Sequence, residues 1–168
     1  LISHCERMRY RIGVVDPPDE LSISEVKEYR AQFDSTYAAL YYPWIRILDP
    51  LTEQEINLPP SGYVAGIYAR TDSRRGVWKA PAGTEANIGG AVGLTKQTSD
   101  AEQDTLNPIG VNVIRFFPAS GIVIWGSRTL ATQSDPEYRY IPIRRLAIFL
   151  EQSIYNGIQW AVFEPNDE

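Results

Sequence analysis

Val111-Asn112-Val113-Ile114-Arg115-Phe116-Phe117, then Pro118-Ala119-Ser120-Gly121, then Ile122-Val123-Ile124-Trp125 decides the fold class. Two runs rich in β-branched and aromatic residues flank a short Pro/Gly turn, so the stretch reads as a β-hairpin. The next signal downstream is helical. Pro142 suits a first helical turn, and Ile143, Leu146, Ala147, Leu150 and Ile154 recur at helical spacing before Gly157 stops the run. Ile158 to Phe163 predicts a last strand.

Upstream the alternation repeats. The first nine residues predict the end of a helix with Ile2, Cys5 and Met8 on one stripe. Arg11 to Asp16 predicts a short buried strand stopped by Pro17-Pro18. Ser22 with Glu25 forms a capping box for a helix reaching about Phe33. Ala38 to Leu48 predicts one strand bent at Pro43, with Asp49-Pro50 as its turn and Leu51 to Leu58 as a returning arm. A helix opens near Ser61 with Val64, Ile67 and Tyr68 facing the core, and with Gly62 and Gly66 permitting close packing. Gly76 suits its left-handed end. Val77 to Gly93 predicts a long ordered loop, and Ser99 starts a short helix ended by Asn107-Pro108. Helices alternating with short apolar strands imply an α/β layered domain whose sheet is at least partly parallel.

Bulk properties narrow the function. The chain has 168 residues, a length for one domain able to bury roughly 70% of its unfolded surface. Net charge is −5, from 21 acidic and 16 basic residues. That argues against nucleic-acid binding, which needs a basic face; the cluster Arg139, Arg144 and Arg145 is too small to reverse it. The apolar runs fall well short of the ~20 residues that span a bilayer, so direct membrane insertion is not expected. One cysteine excludes an internal disulfide and fits a reducing compartment. With no start Met at Leu1 and an end just after an apolar segment, the chain is expected to be a fragment of a longer protein.

Catalytic and ligand chemistry is poorly supplied. His4 is the only histidine and Cys5 the only cysteine, and adjacent helical positions face different ways. One His and one Cys cannot supply a zinc site. Gly89-Gly90-Ala91-Val92-Gly93 lacks both the phosphate-loop ending and the dinucleotide pattern. Asp16, Asp49, Asp72 and Glu164 sit at ends of predicted elements, where capping and turn formation explain them at least as well as an acidic pair does. We therefore expect no catalytic, cofactor or metal residues. Trp125 and Trp160 follow apolar strand patterns and are expected in the core. Trp78, beside Lys79 in a polar loop, is as well explained by an interface anchor as by a plug onto its own domain.

Six blocks, in order, carry a family resemblance. They are Pro59-Pro60-Ser61-Gly62-Tyr63-Val64-Ala65-Gly66-Ile67-Tyr68-Ala69-Arg70-Thr71-Asp72, Arg75-Gly76-Val77-Trp78-Lys79-Ala80-Pro81-Ala82, Gly110-Val111-Asn112-Val113-Ile114-Arg115, Gly121-Ile122-Val123-Ile124-Trp125-Gly126, Tyr140-Ile141-Pro142-Ile143-Arg144-Arg145-Leu146, and Gln159-Trp160-Ala161-Val162-Phe163-Glu164-Pro165-Asn166. In this order and spacing the chain resembles the tail sheath proteins of contractile phages and of phage-derived injection machines. The resemblance implies a three-layer α/β/α sandwich similar to subtilisin but without a protease site. It implies that residues 1–168 are a single core domain, lacking an N-terminal arm and a C-terminal domain. It also implies a structural subunit that polymerises helically with itself around an inner tail tube protein, meets baseplate and tail terminator proteins, and contracts to drive the tube through an envelope. The expected location is a virion tail or injection particle assembled in the bacterial cytoplasm. Within the matching blocks, Arg74, Arg75, Trp78, Lys79, Arg144 and Arg145 are the candidates for subunit contacts. Two other readings stay open: a hydrolase of the same layered class completed by residues elsewhere, and a virion ligand-binding domain.

Overall fold

The structure, a computed structural model, describes residues 1–131 and 136–165. Its centre is a four-stranded sheet in the order β1 (Gly13–Val15), β2 (Ala38–Tyr42), β6 (Val111–Phe117), β7 (Gly121–Ile124). β1, β2 and β6 run parallel, and β7 pairs antiparallel with β6 through the expected hairpin. Gly121 takes φ +72° at the turn, a left-handed value that favours glycine.

Successive residues of β2 point to opposite faces, and both faces are covered. Ala38, Leu40 and Tyr42 join Val111 and Val113 against Val26 of α2 (Ile23–Arg30) and Leu106 of α4 (Asp100–Leu106). Ala39 and Tyr41 join Ile114, Ile122 and Ile124 against Val64, Ile67 and Tyr68 of α3 (Ser61–Arg75) and Ile141 of α5 (Ile141–Gly157). All five residues of β2 are buried, as expected for a parallel strand sandwiched between helix layers. The architecture is α/β, with helices on both faces of the sheet.

Several local signals fold as written. Ser22–Glu25 forms the expected reciprocal capping box, and the helix that starts at Ser99 carries a second one, Ser99–Glu102. Cys5, on α1 (Ile2–Met8), is buried as a small apolar residue. One cap is not local: the Asp16 carboxylate accepts from the Ser61 backbone N–H at 2.9 Å, tying the end of β1 to the start of α3.

Other expectations are corrected. Ala38 to Leu48 is two strands in different sheets, not one bent strand. After Pro43, which has no N–H to give a ladder, β3 (Ile45–Leu48) joins an antiparallel sheet ordered β4 (Glu55–Leu58), β3, β5 (Ala91–Leu94). The loop after α3 is ordered because its residues bond to the outer edge of β7: Gly83 N–H donates to Ile124, Ile124 N–H to Ala86, and Ile88 N–H to Ile122, all at 2.8–3.1 Å. It thereby satisfies backbone groups that an open edge would leave unpaired.

Gly62 and Gly66 do not support close packing within the domain, since a Cβ at either would meet nothing within 4 Å. Gly76 has φ +98° but ψ 162°, so it is not a left-handed helix end. The largest departures lie at the end of the chain. The α5 residues that seal the core are Ile141, Arg144 and Ile148, whereas Ile143, Leu150 and Ile154 are exposed. Ile158 to Phe163 forms no strand; Gln159–Phe163 is a short 3-10 helix exposed throughout. Trp160 is 74% exposed, and Trp125 is half exposed against Phe117. Neither is a core residue. The end of the last matching block, from Asn166, lies outside the described residues.

Candidate subunit-contact site

The six candidate residues fall into two environments. The first is the exposed end of α3 and the turn after it. Arg74 is exposed, and Arg75 pairs with Glu85 across 2.6 Å while both side chains stay more than half exposed. The Lys79 ammonium donates to the Ala80 carbonyl at 3.2 Å. Trp78 is 65% exposed, and one part of its ring lies where a Cβ on Gly76 would stand. Gly76 therefore allows the chain to turn tightly enough to lay an indole on the helix end with its other side in solvent. An aromatic flanked by cations, fixed on a rigid helix end, is the composition of interface anchors.

The second environment faces inward. Arg144 is 6% exposed, with its guanidinium 4.3 Å from the Tyr37 ring centroid and 3.4 Å from that of Tyr138. It donates to the Tyr37 hydroxyl at 3.2 Å and to Thr36 Oγ1 at 2.9 Å. Arg145 grips both carboxylate oxygens of Asp72 and lies 4.6 Å from the Tyr68 ring centroid. Beneath it the Tyr41 and Tyr68 hydroxyls meet at 2.7 Å in the core. Burial pushes the ionisation of both phenols well above the ordinary tyrosine value. The two arginines thus join α5 to the body of the domain.

The acidic residues at element ends have structural partners. Asp16 caps α3, Asp49 accepts from the Leu51 N–H and the Thr52 hydroxyl, and Asp72 holds Arg145. His4 lies 3.0 Å from the Arg11 guanidinium on the exposed side of α1. Among the described residues no group of three His, Cys, Asp or Glu could hold a metal ion, and no helix is long and apolar enough to cross a membrane.

Two structural residues escaped sequence reading. Asn112, fully buried, donates through Nδ2 to the Leu40 and Arg128 carbonyls at 3.1 and 2.7 Å and accepts from Arg128 N–H at 2.6 Å. Arg30 donates to the carbonyls of Phe33, Ile109 and Leu130, and desolvation lowers its pKa. Neither sits in a pattern that announces a buried polar hub.

These features define an α/β domain that presents an aromatic–cationic corner at one helix end and an apolar, exposed helix end near its close. The chain belongs to the phage tail sheath family: the family described as phage tail sheath protein central domain matches residues 1–130. The tail sheath protein of Vibrio phage KVP40 is 32% identical over 135 residues, 80% of this chain and 20% of that protein. A putative prophage major tail sheath protein of Pseudomonas aeruginosa is 28% identical over 163 residues, covering 94% of this chain and 40% of the relative. The chain therefore spans well under half the length of these relatives. Among solved structures, the sheath complex of an extracellular contractile injection system, PVC, in its contracted state superposes with a TM-score of 0.80 at 38% identity, covering 92% of this chain and 42% of that one. The contracted helical sheath of the anti-feeding prophage gives a TM-score of 0.74 at 38% identity, covering 94% and 40%.

Proposed function

We propose that this chain is the core domain of a contractile sheath subunit that assembles helically with copies of itself around an inner tube, joins a baseplate, and drives the tube through a target envelope on contraction. The superposition on a contracted PVC sheath at 38% identity carries the reading. Contraction of this kind needs two sets of interfaces between rigid bodies rather than a chemical step. A sandwich with both sheet faces sealed by helices suits a unit that must move without deforming. In this reading the domain is structural and performs no catalysis; the exposed His4 facing Arg11 suits that better than a hydrolase. Terminator contact, further domains of the subunit and assembly in the bacterial cytoplasm belong to the same proposal.

We assign Arg74, Arg75, Trp78 and Lys79 to contacts between subunits. Arg144 and Arg145 would act there through the placement of α5. Negative-stain electron microscopy of the full-length protein, with and without its tube partner, tests the reading. Striated tubes are expected; a stable monomer under both conditions would sink it and leave the hydrolase and ligand-binding readings to be assayed.

A further inference from the structure

The sheath reading leaves unassigned a mainly apolar trough beside α3. Leu58, Tyr63, Ile67 and Ile88 line its walls, and the bare backbone at Gly62 and Gly66 opens its side. Its volume of about 770 Å³ lies in the ~300–1,000 Å³ range of binding clefts. Half-buried Arg70 stands at one end. Its Nη2 donates to the carbonyls of Glu85 and Asn87 and to Asn87 Oδ1, at 3.2, 2.7 and 3.1 Å. All three acceptors are neutral, so no carboxylate among the described residues matches that charge; the nearby Glu85 carboxylate is engaged by Arg75.

An apolar knob of matching character stands on the β3–β4 hairpin, a paired ribbon well inside the chain. Leu51 at its tip is 92% exposed, although the turn that carries it is firmly held. Asp49 N–H donates to the Gln54 carbonyl and Glu53 N–H to the Asp49 carbonyl, both at 2.8 Å. The Asp49 carboxylate accepts from the Leu51 N–H at 3.0 Å and from the Thr52 hydroxyl at 2.7 Å. Glu53 takes φ +57°, a left-handed value uncommon for a residue other than glycine. Its carboxylate is exposed and pairs with no cation among the described residues. A leucine held out in water on a turn already fixed in shape loses little further freedom when it docks.

We infer that the trough seats Leu51 of a second copy, with Glu53 meeting Arg70. Apolar surface meets apolar surface, and one unpaired carboxylate meets one unmatched guanidinium. The bare glycines let the incoming turn approach the α3 backbone closely. A copy does not fill its own trough. β4 runs from Glu55, beside the tip, to Leu58, at the trough wall, and an extended strand of that length holds the two roughly 10 Å apart. The contact therefore joins different surfaces of two copies, head to tail. Such an interface propagates from copy to copy, into an open helix wherever the rotation does not close. The inference rests on the sheath reading and supplies it with one specific contact.

Photo-crosslinking of the full-length chain tests it. A photo-reactive aliphatic amino acid is introduced at position 51, and tubes are assembled from a mixture of isotopically light and heavy copies. Light–heavy crosslinked peptides joining position 51 to residues 61–70 are expected. Crosslinks confined to one copy, to another surface of the neighbour or to another protein, in tubes of normal appearance, would overturn this contact and leave the sheath reading standing. Failure of the unaltered chain to form tubes would remove both. Independently, Leu51→Ser trims the knob and Gly66→Leu fills the trough, each at a position with open space around it. Neither should lower the thermal midpoint of the unassembled chain. Each should raise the critical concentration for assembly by about tenfold, the equivalent of about 1.4 kcal/mol per contact. The double variant should show less than the sum of the two effects, because a single contact is lost. Unchanged assembly in the single variants, or fully additive effects in the double, would overturn the inference.

Discussion

Arg145 of α5 holds Asp72 of α3 through both carboxylate oxygens while its guanidinium lies over the Tyr68 ring. The pair is mostly buried, with side chains 14% and 27% exposed. It joins two helices 73 residues apart in sequence across the surface of the core. Removing either partner leaves the other desolvated without its counter-charge. Asp72→Ala or Arg145→Ala should each destabilise the domain by roughly 2 kcal/mol, somewhat below the loss at a fully buried pair. Arg145→Lys should recover only part, because an ammonium cannot make the two-pronged contact. Urea denaturation of the three variants reads this out. Charge reversal at Arg144 and Arg145 consequently perturbs folding before it reports on subunit contacts.

Asn112 should be as sensitive as any apolar core residue. Its amide holds two carbonyls and one N–H, and a Cβ on Gly126 would sit 2.8 Å from Asn112 Cα. Asn112→Leu removes the side-chain partner of three backbone groups and should cost about 3 kcal/mol. Gly126→Ala should also destabilise, because the obstructing atom is backbone and cannot rotate away. Equilibrium unfolding in denaturant, read against wild type, checks both.

The three glycines of the α3 region should respond in opposite directions. At Gly62 and Gly66 an alanine meets empty space, so each substitution should stabilise the unassembled chain by up to about 1 kcal/mol through helix propensity. Gly76 has φ +98° and the Trp78 ring where a Cβ would stand. Gly76→Ala should destabilise by roughly 2 kcal/mol. Thermal melts of the three variants separate the cases by sign.

What the sequence made legible was local. The capping box at Ser22, the helix start at Ser99, the turn at Gly121 and the inward residues of α3 all follow from neighbours within a few positions. The failures need knowledge of distant partners. The apolar periodicity of α5 identifies a helix but not which side is covered, and the covered side includes Arg144, which Tyr37, Tyr138 and the Thr36 hydroxyl make tolerable. Ile158 to Phe163 has strand composition, yet a strand requires a neighbour for its backbone, and none of the described strands pairs with it. Charge and aromaticity mark contact candidates in the sequence, and they occur alike at Trp78 in solvent and at Arg145 packed within the domain.

The two capping boxes predict a pH dependence. Glu25 is held below its ordinary value of 4.5 mainly by the Ser22 hydroxyl and then by the Ser22 N–H. Glu102 is lowered first by the Ser99 N–H and then by its hydroxyl. A carboxylate depressed in the folded state contributes stability that is present above the unfolded pKa and disappears as pH falls through the folded one. Glu25→Gln and Glu102→Gln should therefore be less stable than wild type at neutral pH, with the gap shrinking as pH drops below 4.5. A gap constant over that range in denaturant melts would exclude the ionised carboxylate as the source.

The exposed corner at the end of α3 provides the cleanest separation of folding from assembly. Trp78 is 65% exposed, Arg74 is exposed, and the Arg75–Glu85 pair is solvated. Solvated pairs and surface side chains contribute little to stability. Arg74→Ala should leave the unassembled chain within about 0.5 kcal/mol of wild type. Trp78→Ala should cost somewhat more, because the ring rests on Gly76. If this corner anchors a neighbouring subunit, the same substitutions should weaken assembly out of proportion to those losses, by about 2 kcal/mol for the indole. Paired measurements, unfolding of the dispersed full-length chain and its critical concentration for tube formation, distinguish the outcomes. Equal small effects in both would mean that Trp78 only covers its own helix end.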